Sequence, residues 1–88
     1  MKKLNLNSAR IFISVVEKGS FTAAAKELNV PLTTVSRKVA ELEKDLGIRL
    51  LERTTRKLRS TEAGDVLYHS FVRAYEEINI GFLSLIHI

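Results

Sequence analysis

The chain has 88 residues, of which 45% are hydrophobic and 27% charged, a composition that indicates one small folded domain and excludes a disordered segment. Its formal net charge of +4 favours a polyanionic partner. The absence of cysteine excludes disulfides and thiolate metal sites, and no apolar run is long enough for a signal peptide or a membrane span, so we expect a cytoplasmic protein with no membrane partner.

The first predicted helix covers residues 6–18, with Asn5 as its N-cap and Gly19 at its end. Four apolar residues recur at helical spacing on one face: Ala9, Phe12, Ile13 and Val16. Ile11 and Val15 form a second apolar row on another face, which is more apolar surface than a single contact requires. The pattern therefore predicts a second partner helix for this face.

A second helix and a tight turn come next. Ser20 can cap this helix, because a serine side chain accepts hydrogen bonds from the first free backbone N–H groups. The apolar positions lie at i, i+3, i+4 and i+7: Phe21, Ala24, Ala25 and Leu28. Asn29 tolerates the left-handed conformation that ends a helix, and Pro31 suits the first turn of a new one. The turn between the two helices is therefore predicted to be short.

The third predicted helix, residues 31–46, has an apolar stripe and a polar face. Apolar side chains step by four, three and four and are predicted to face the core: Val35, Val39, Leu42 and Leu46. The same geometry turns a polar set outward: Thr33, Thr34, Arg37, Lys38 and Glu41. A helix-turn-helix that exposes such a face is how many proteins place side chains in a DNA major groove.

Residues 49–59 predict a small hairpin. Leu50 and Leu51 lie in one extended segment and Leu58 in another, and the polar turn 54–56 separates them. Against the single acid Glu52, this segment carries five basic residues: Arg49, Arg53, Arg56, Lys57 and Arg59. A charge run of this kind usually only keeps a loop soluble, but a ribbon of nearly uniform sign is better explained if DNA phosphates neutralise it.

A long final helix is predicted to begin at Thr61, which can act as its N-cap, with Asp65 favourably placed near its start. Its apolar residues form an approximate heptad seam: Leu67, Phe71, Ala74, Ile78, Phe82 and Leu85. Ala63, Val66 and Leu67 are expected to pack beneath the hairpin. Beyond Phe71 little of the domain is left to cover the seam, so we expect a homodimer in which Ile11 and Val15 join the interface.

The last eight residues, 81–88, are unusually apolar, and Gly81 is expected to break the helix before them. This tail either extends the dimer interface or is a truncated or artificial terminus. The sequence therefore divides into a winged helix-turn-helix DNA-binding domain (1–60), a linker and dimerisation helix (61–80) and the tail.

The order of these elements predicts a mainly α fold, a winged helix-turn-helix with a long C-terminal linker helix. Two blocks, FISVVEKGSFTAAAKELNV and VSRKVAELEKDLGIRLLERTTRKLRSTEAG, resemble the N-terminal DNA-binding domain of LysR-type transcriptional regulators, over residues 4–78. The resemblance implies a third helix in the major groove, a wing on the backbone or minor groove, and a linker helix that pairs two subunits. Full regulators of this family continue into a ligand-sensing domain, which is absent from this chain.

Carried over by position, the resemblance implies DNA contacts from Leu32, Thr33, Ser36 and Arg37, and wing contacts from Arg53 and Arg56. The family's usual Ser-Gln-Pro opening of the recognition helix is here Pro31-Leu32-Thr33. Leu32 offers only an apolar contact, for instance to a thymine methyl group, where glutamine would hydrogen-bond to base edges.

The chemistry of the side chains supports these roles independently. Arg37 can donate two hydrogen bonds to guanine, Thr33 and Thr34 can contact phosphate or thymine, and Lys38 and Lys57 suit phosphate. The alternative is a solvated face on which Arg37 and Lys38 pair with Glu41. Ser36, placed near the boundary of the core, can equally hydrogen-bond a backbone carbonyl.

The sequence thus predicts sequence-specific binding of double-stranded DNA by a dimeric transcriptional regulator. The alternative is a protein-interaction module that heterodimerises with a full-length regulator through its long helix. An enzyme is not predicted, because His69 and His87 have no paired carboxylates or phosphate-cradling glycines near them in sequence. No cofactor or metal is expected, since a metal site would need further ligands at workable spacing.

Overall fold

Six elements of secondary structure follow one another in the residues that the computed structural model describes, 4–53 and 57–88. The elements are α1 (Leu6–Lys18), α2 (Phe21–Leu28), α3 (Leu32–Leu46), β1 (Leu51–Arg53), β2 (Leu58–Ser60) and α4 (Glu62–Ile86). The two strands pair antiparallel, with Glu52 opposite Arg59. This arrangement confirms the predicted winged helix-turn-helix, with the hairpin as the wing and α4 as the linker helix.

Local capping signals set the ends of the helices, as the sequence predicts. The side chains of Asn5 and Ser20 each accept a hydrogen bond from the backbone N–H three residues further on, at 3.1 and 3.2 Å. Asn29 and Gly47 end α2 and α3 in the left-handed conformation, with φ of 57° and 68°. The turn between α2 and α3 is therefore short, and it fixes the angle at which α3 leaves the core.

The core lies between the first three helices and the base of the wing. Its largest fully buried side chains come from α1, α3 and the start of the wing: Phe12, Val15, Val35, Val39, Leu42, Leu50 and Leu51. Ile11 is 4% exposed and Val15 is fully buried, so the prediction that they join a dimer interface is wrong. The reason is that α1 is the central helix, which packs against α2, α3 and α4 and uses both of its apolar faces within one chain.

Two further apolar residues lie outside the core, contrary to prediction. Leu46 is 40% exposed, because Leu50 and Leu51 of the wing complete the core beyond Leu42. Val66 is 63% exposed, because Leu67, one helical position further on, takes the face of α4 that packs inward. The predictions that Leu46 faces the core and that Val66 packs beneath the hairpin are therefore wrong.

Helix α4 is anchored to the wing by backbone contacts. The Thr61 side chain donates to the carbonyl of Arg49 at 2.6 Å and accepts from the Gly64 N–H at 3.1 Å. The Thr61 N–H also donates to the Leu50 carbonyl, at 2.9 Å. Gly64 approaches this carbonyl so closely that a Cβ atom built there would lie 2.2 Å from the oxygen. The start of the helix is therefore fixed against the segment that leads into β1.

The helix then continues to Ile86 without interruption, so the break predicted at Gly81 is wrong. A glycine lowers helix stability by about 1 kcal/mol relative to alanine but leaves the backbone hydrogen bonds intact, unlike a proline. In the described part of the chain, no helix is long and apolar enough to cross a membrane.

A small polar network ties α1 to α2. Lys18 Nζ lies 2.6 Å from Glu27 Oε2, and the Ser14 hydroxyl donates to Glu27 Oε1 at 3.2 Å. The hydrogen bond from Lys18 lowers the pKa of Glu27 below its ordinary value of 4.5, and the same bond raises the pKa of Lys18. The network therefore favours the folded state while Glu27 is ionised.

We expect the network of Glu27, Lys18 and Ser14 to make the stability of the fold sensitive to acid. Because the folded-state pKa of Glu27 is depressed, its stabilisation is present above the unfolded pKa and is lost as the pH falls through the folded pKa. Glu27→Gln should therefore lose less stability than the parent chain between pH 7 and about pH 3 in urea unfolding. Asp45→Asn, which removes an exposed carboxylate outside the network, serves as the control. Equal pH dependence in Glu27→Gln and the parent would contradict this expectation.

Candidate nucleic-acid interface

The exposed face of α3 is set by its buried stripe. Val35 and Val39 are fully buried and Leu42 is 2% exposed, so the opposite side of the helix faces solvent. Of the six residues of α3 predicted from the sequence to contact DNA, Thr34 and Lys38 are half-buried, and the other four are exposed: Leu32, Thr33, Ser36 and Arg37. Leu32 is 45% exposed at the start of the helix, and Ser36 is exposed rather than at the boundary of the core.

The two basic residues of α3 pair weakly with one acid. Arg37 Nη1 lies 3.8 Å from Glu41 Oε2, and Lys38 Nζ lies 3.8 Å from Glu41 Oε1. The Arg37 and Glu41 side chains are 60% and 49% exposed, so the pair is worth only a few tenths of a kcal/mol, approximately. Both basic groups can therefore leave Glu41 for a more strongly charged partner at little cost.

The wing is less uniformly basic than its sequence indicates. Glu52 faces Arg59 across the strand pair, and Arg53 lies against two groups of the helix-turn-helix. Lys57 is exposed at the start of the second strand segment. Arg56, predicted to contact DNA, lies outside the described residues. The described part of the wing is therefore not a surface of uniform positive charge.

A residue that sequence analysis missed, Glu43, connects α3 to the wing. Its Oε2 atom accepts the backbone N–H of Leu50 at 2.7 Å and that of Leu51 at 3.1 Å. Its Oε1 atom lies 3.9 Å from Arg53 Nη2, and the Arg53 guanidinium lies 5.0 Å from the centre of the Phe21 ring. The one local signal in the sequence is an acid in the last turn of a helix, where the helix dipole disfavours negative charge.

The predicted dimerisation seam divides into two parts. Leu67 and Phe71 are half-buried against the core, whereas Ile78 and Phe82 are 70% and 59% exposed. Ala74 is exposed between them. A groove of about 590 Å³ runs between the start of α1 and this part of α4, and its apolar lining is Leu4, Leu6, Leu67, Phe71, Ala74 and Ile78. The outer half of the seam is therefore uncovered in a single chain.

The surface of α3 presents hydroxyls, methyl groups and cations. His69 is exposed, with its ring edge-on to Tyr68 at 5.3 Å. Within residues 4–53 and 57–88, no three histidine, aspartate or glutamate side chains lie together as metal ligands would. The hydroxyls, methyl groups and cations of α3 can bind a ligand through hydrogen bonds, apolar contacts and ion pairs.

A short helix pair, an exposed second helix of that pair and a two-stranded wing define a winged helix-turn-helix domain. Residues 6–65 match the family described as "Bacterial regulatory helix-turn-helix protein, lysR family". The chain therefore belongs to the LysR family, and the resemblance found in the sequence is confirmed. It corresponds to the DNA-binding domain of these transcriptional regulators.

Curated relatives are longer regulators. The chain is 55% identical to an HTH-type transcriptional regulator of Xanthomonas campestris over 74 residues, which are 84% of this chain and 22% of that protein. It is 41% identical to the HTH-type transcriptional activator AaeR of Escherichia coli K12 over 73 residues, which are 83% of this chain and 24% of the activator. The chain thus spans about a quarter of the length of these relatives.

Solved structures share the fold. The crystal structure of the BenM DNA-binding domain in complex with catB site 1 DNA has a TM-score of 0.83 and 34% identity, and covers 94% of this chain and 92% of that one. The full-length structure of the Vibrio cholerae virulence activator AphB has a TM-score of 0.79 and 34% identity, over 92% of this chain and 28% of AphB.

Proposed function

We propose that this chain binds a specific sequence of double-stranded DNA and thereby regulates transcription. The observation that carries the proposal is the outer face of α3, where four side chains suited to base or phosphate contacts are exposed and two more, Thr34 and Lys38, are half-buried beside them. An α-helix is about 10–12 Å wide with its side chains, which matches the roughly 12 Å width of the major groove. BenM, whose DNA-binding domain has this fold, is seen bound to DNA. We also propose a cytoplasmic location, because that is where a bacterial transcriptional regulator meets duplex DNA.

In this proposal each side chain of α3 has a distinct role. Arg37 donates two hydrogen bonds to a guanine edge, because its planar guanidinium matches the O6 and N7 acceptors. Leu32 and Thr33 contact thymine methyl groups, and the Thr33 hydroxyl can also reach a phosphate. Thr34 and Ser36 supply further hydroxyls at the groove edge. Lys38, whose side chain is 25% exposed, supplies a phosphate contact.

The wing supplies contacts that carry little sequence information. In the sequence, Arg56 lies in the predicted turn of the hairpin and Lys57 follows it, and we propose that both reach the backbone or minor groove next to the recognition helix. Each phosphate neutralised by such a side chain adds about −0.9 to the slope of log K against log salt.

We further propose that the binding species is a homodimer joined through α4. The support is the uncovered outer seam, in which Ile78 and Phe82 are 70% and 59% exposed. A two-fold dimer buries the same seam of both chains and presents two α3 helices to half-sites about one helical turn, or a multiple of it, apart. The same surface would equally allow heterodimers with a longer regulator of the family.

The direct test is selection of bound sequences from a random duplex pool with the full chain, followed by a salt titration on the selected site. We expect two related half-sites and a log K that falls linearly with log salt. An absence of enrichment, together with tight heterodimerisation with a longer family member, would refute DNA binding and favour the protein-interaction alternative.

Arg37→Ala should weaken binding to the selected site by about 1–3 kcal/mol and relax discrimination at one base position, because the bidentate contact is lost. Arg37→Lys is the matched control, since it keeps the charge but not the planar fork. We expect Arg37→Lys to retain most of the salt slope and still lose the base preference, as measured by competition among operator variants. An unchanged ranking of these variants in Arg37→Ala would exclude Arg37 from base readout.

A further inference from the structure

We propose that Glu43, Arg53 and the ring of Phe21 form a wing clamp that sets the position of the wing relative to α3, and that Arg53 is a positioning residue rather than a phosphate contact. The effect of the clamp on DNA binding rests on the proposed function. The clamp itself is a property of the free chain and can be tested without DNA.

Glu43 holds the start of the wing by its backbone. It lies in the last turn of α3, where the carbonyl ends of the helix disfavour a negative charge, so its carboxylate needs compensating donors. The N–H groups of Leu50 and Leu51 provide them at 2.7 and 3.1 Å, immediately before and at the first residue of β1. Hydrogen bonds to an ionised acceptor are roughly twice as strong as those between neutral groups.

The Glu43 carboxylate is also shielded from solvent, whereas that of Glu41 is not. Its side chain is 15% exposed, whereas Glu41, which pairs with Arg37 and Lys38, is 49% exposed. Screening by solvent is therefore weaker at Glu43 than at Glu41. Glu43 can therefore hold the start of the wing in a fixed position. Glu41 can release Arg37 and Lys38.

Arg53 closes the clamp from the wing side. It is the last residue of β1, its Nη2 atom lies 3.9 Å from Glu43 Oε1, and its guanidinium lies 5.0 Å from the centre of the Phe21 ring. Phe21 opens α2, so this one side chain joins both helices of the helix-turn-helix to the wing. The planar guanidinium suits this double role, because it can face a carboxylate and an aromatic ring at once.

The clamp explains how a wing of two three-residue strands keeps a defined direction. The two strands pair only with each other, and a two-stranded hairpin is marginally stable alone. Glu43 holds β1 at its start and Arg53 holds it at its end, so the clamp fixes the position of β1 relative to α3. Loss of the clamp should therefore weaken wing contacts without changing the bases that α3 reads.

The variants are Glu43→Gln, which removes the charge but keeps the shape, and Arg53→Lys, which keeps the charge but removes the planar group. Asp45→Asn is the matched control, because it removes an exposed carboxylate from the same turn of α3. Amide hydrogen exchange in the DNA-free chain should show Leu50 and Leu51 exchanging about tenfold or more faster in Glu43→Gln than in Asp45→Asn. Exchange at the parent rate in Glu43→Gln would overturn the clamp.

The DNA readout separates positioning from direct contact. In Glu43→Gln and Arg53→Lys alike, we expect the salt slope to become shallower by about one unit, with an unchanged ranking of bases at the α3 positions in a chain that remains folded. A parent-like slope in Arg53→Lys would show that Arg53 acts as a point charge on phosphate, and would overturn its assignment. If Glu43→Gln does not fold, the salt slope of Arg53→Lys is the measurement that tests the clamp. Failure of the parent chain to bind any duplex would refute the proposed function but leave the exchange test of the clamp intact.

Discussion

Gly64→Ala is expected to destabilise the chain by about 3 kcal/mol, because the added methyl group has no space to occupy. Its Cβ would lie 2.2 Å from the Leu50 carbonyl oxygen, 3.1 Å from the carbonyl carbon and 3.2 Å from Ser60 Cβ. Two of these atoms are backbone, so a flexible side chain cannot move away to relieve the overlap. The same carbonyl accepts the Thr61 N–H at 2.9 Å, so a shift of the strand would also break the anchor of α4.

Gly81→Ala is the control in the same helix. Nothing lies within 4 Å of a Cβ at Gly81, so the substitution only gains helix propensity and should stabilise the chain by about 0.5–1 kcal/mol. The two substitutions are chemically identical and should have opposite signs in urea unfolding at equal protein concentration, since dimer formation would add to apparent stability. Destabilisation by both to the same extent would show that helix packing on the wing is not the cause.

Much of the fold could be predicted because its signals are local. Asn5, Ser20 and Asn29 each act within one helical turn, through a side-chain cap or a left-handed backbone, and each does so in the structure. The stripe of Val35, Val39 and Leu42 likewise depends only on the period of the helix. Because the stripe determines which residues face outward, the exposed face of α3 could be predicted together with it.

The errors arise where a residue's surroundings come from distant parts of the chain. Ile11 and Val15 form a real second apolar face of α1, but periodicity does not show whether the partner is α4 of the same chain or a second copy. Leu46 continues the stripe of α3, yet Leu50 and Leu51 take its place in the core after the chain turns at Gly47. Periodicity finds an apolar face but does not identify what covers it.

The role of Glu43 could not be predicted for a related reason. Its partners are backbone N–H groups seven and eight residues further on, and their position depends on how the wing folds back over α3. Nothing in the residue types of Leu50 and Leu51 indicates such a contact, since every residue except proline has an N–H group. The sequence suggests that the basic residues of the wing form one surface. In the structure, Arg53 contacts Glu43, whereas Lys57 is exposed at the start of the second strand segment.

The largest functional effect is expected from a charge placed in the outer seam of α4. Ile78→Glu should abolish the homodimer, because two-fold symmetry places two carboxylates in an apolar interface without partners. The monomer should keep its stability, since Ile78 is 70% exposed in a single chain. Affinity for a two-half-site duplex should then fall by about 100-fold or more, because the second half-site is no longer bound as an intramolecular event.

Ile80→Glu supplies the matched control, since it introduces the same charge two residues away. Successive residues are 100° apart around a helix, so Ile80 points about 200° from Ile78, on the opposite side of α4. It is 57% exposed, so the cost within one chain is similar. Sedimentation equilibrium should show a monomer for Ile78→Glu and a dimer for Ile80→Glu. Dissociation by Ile80→Glu alone would place the interface on the other face of α4, and dimers of both variants would show that α4 does not join the two chains.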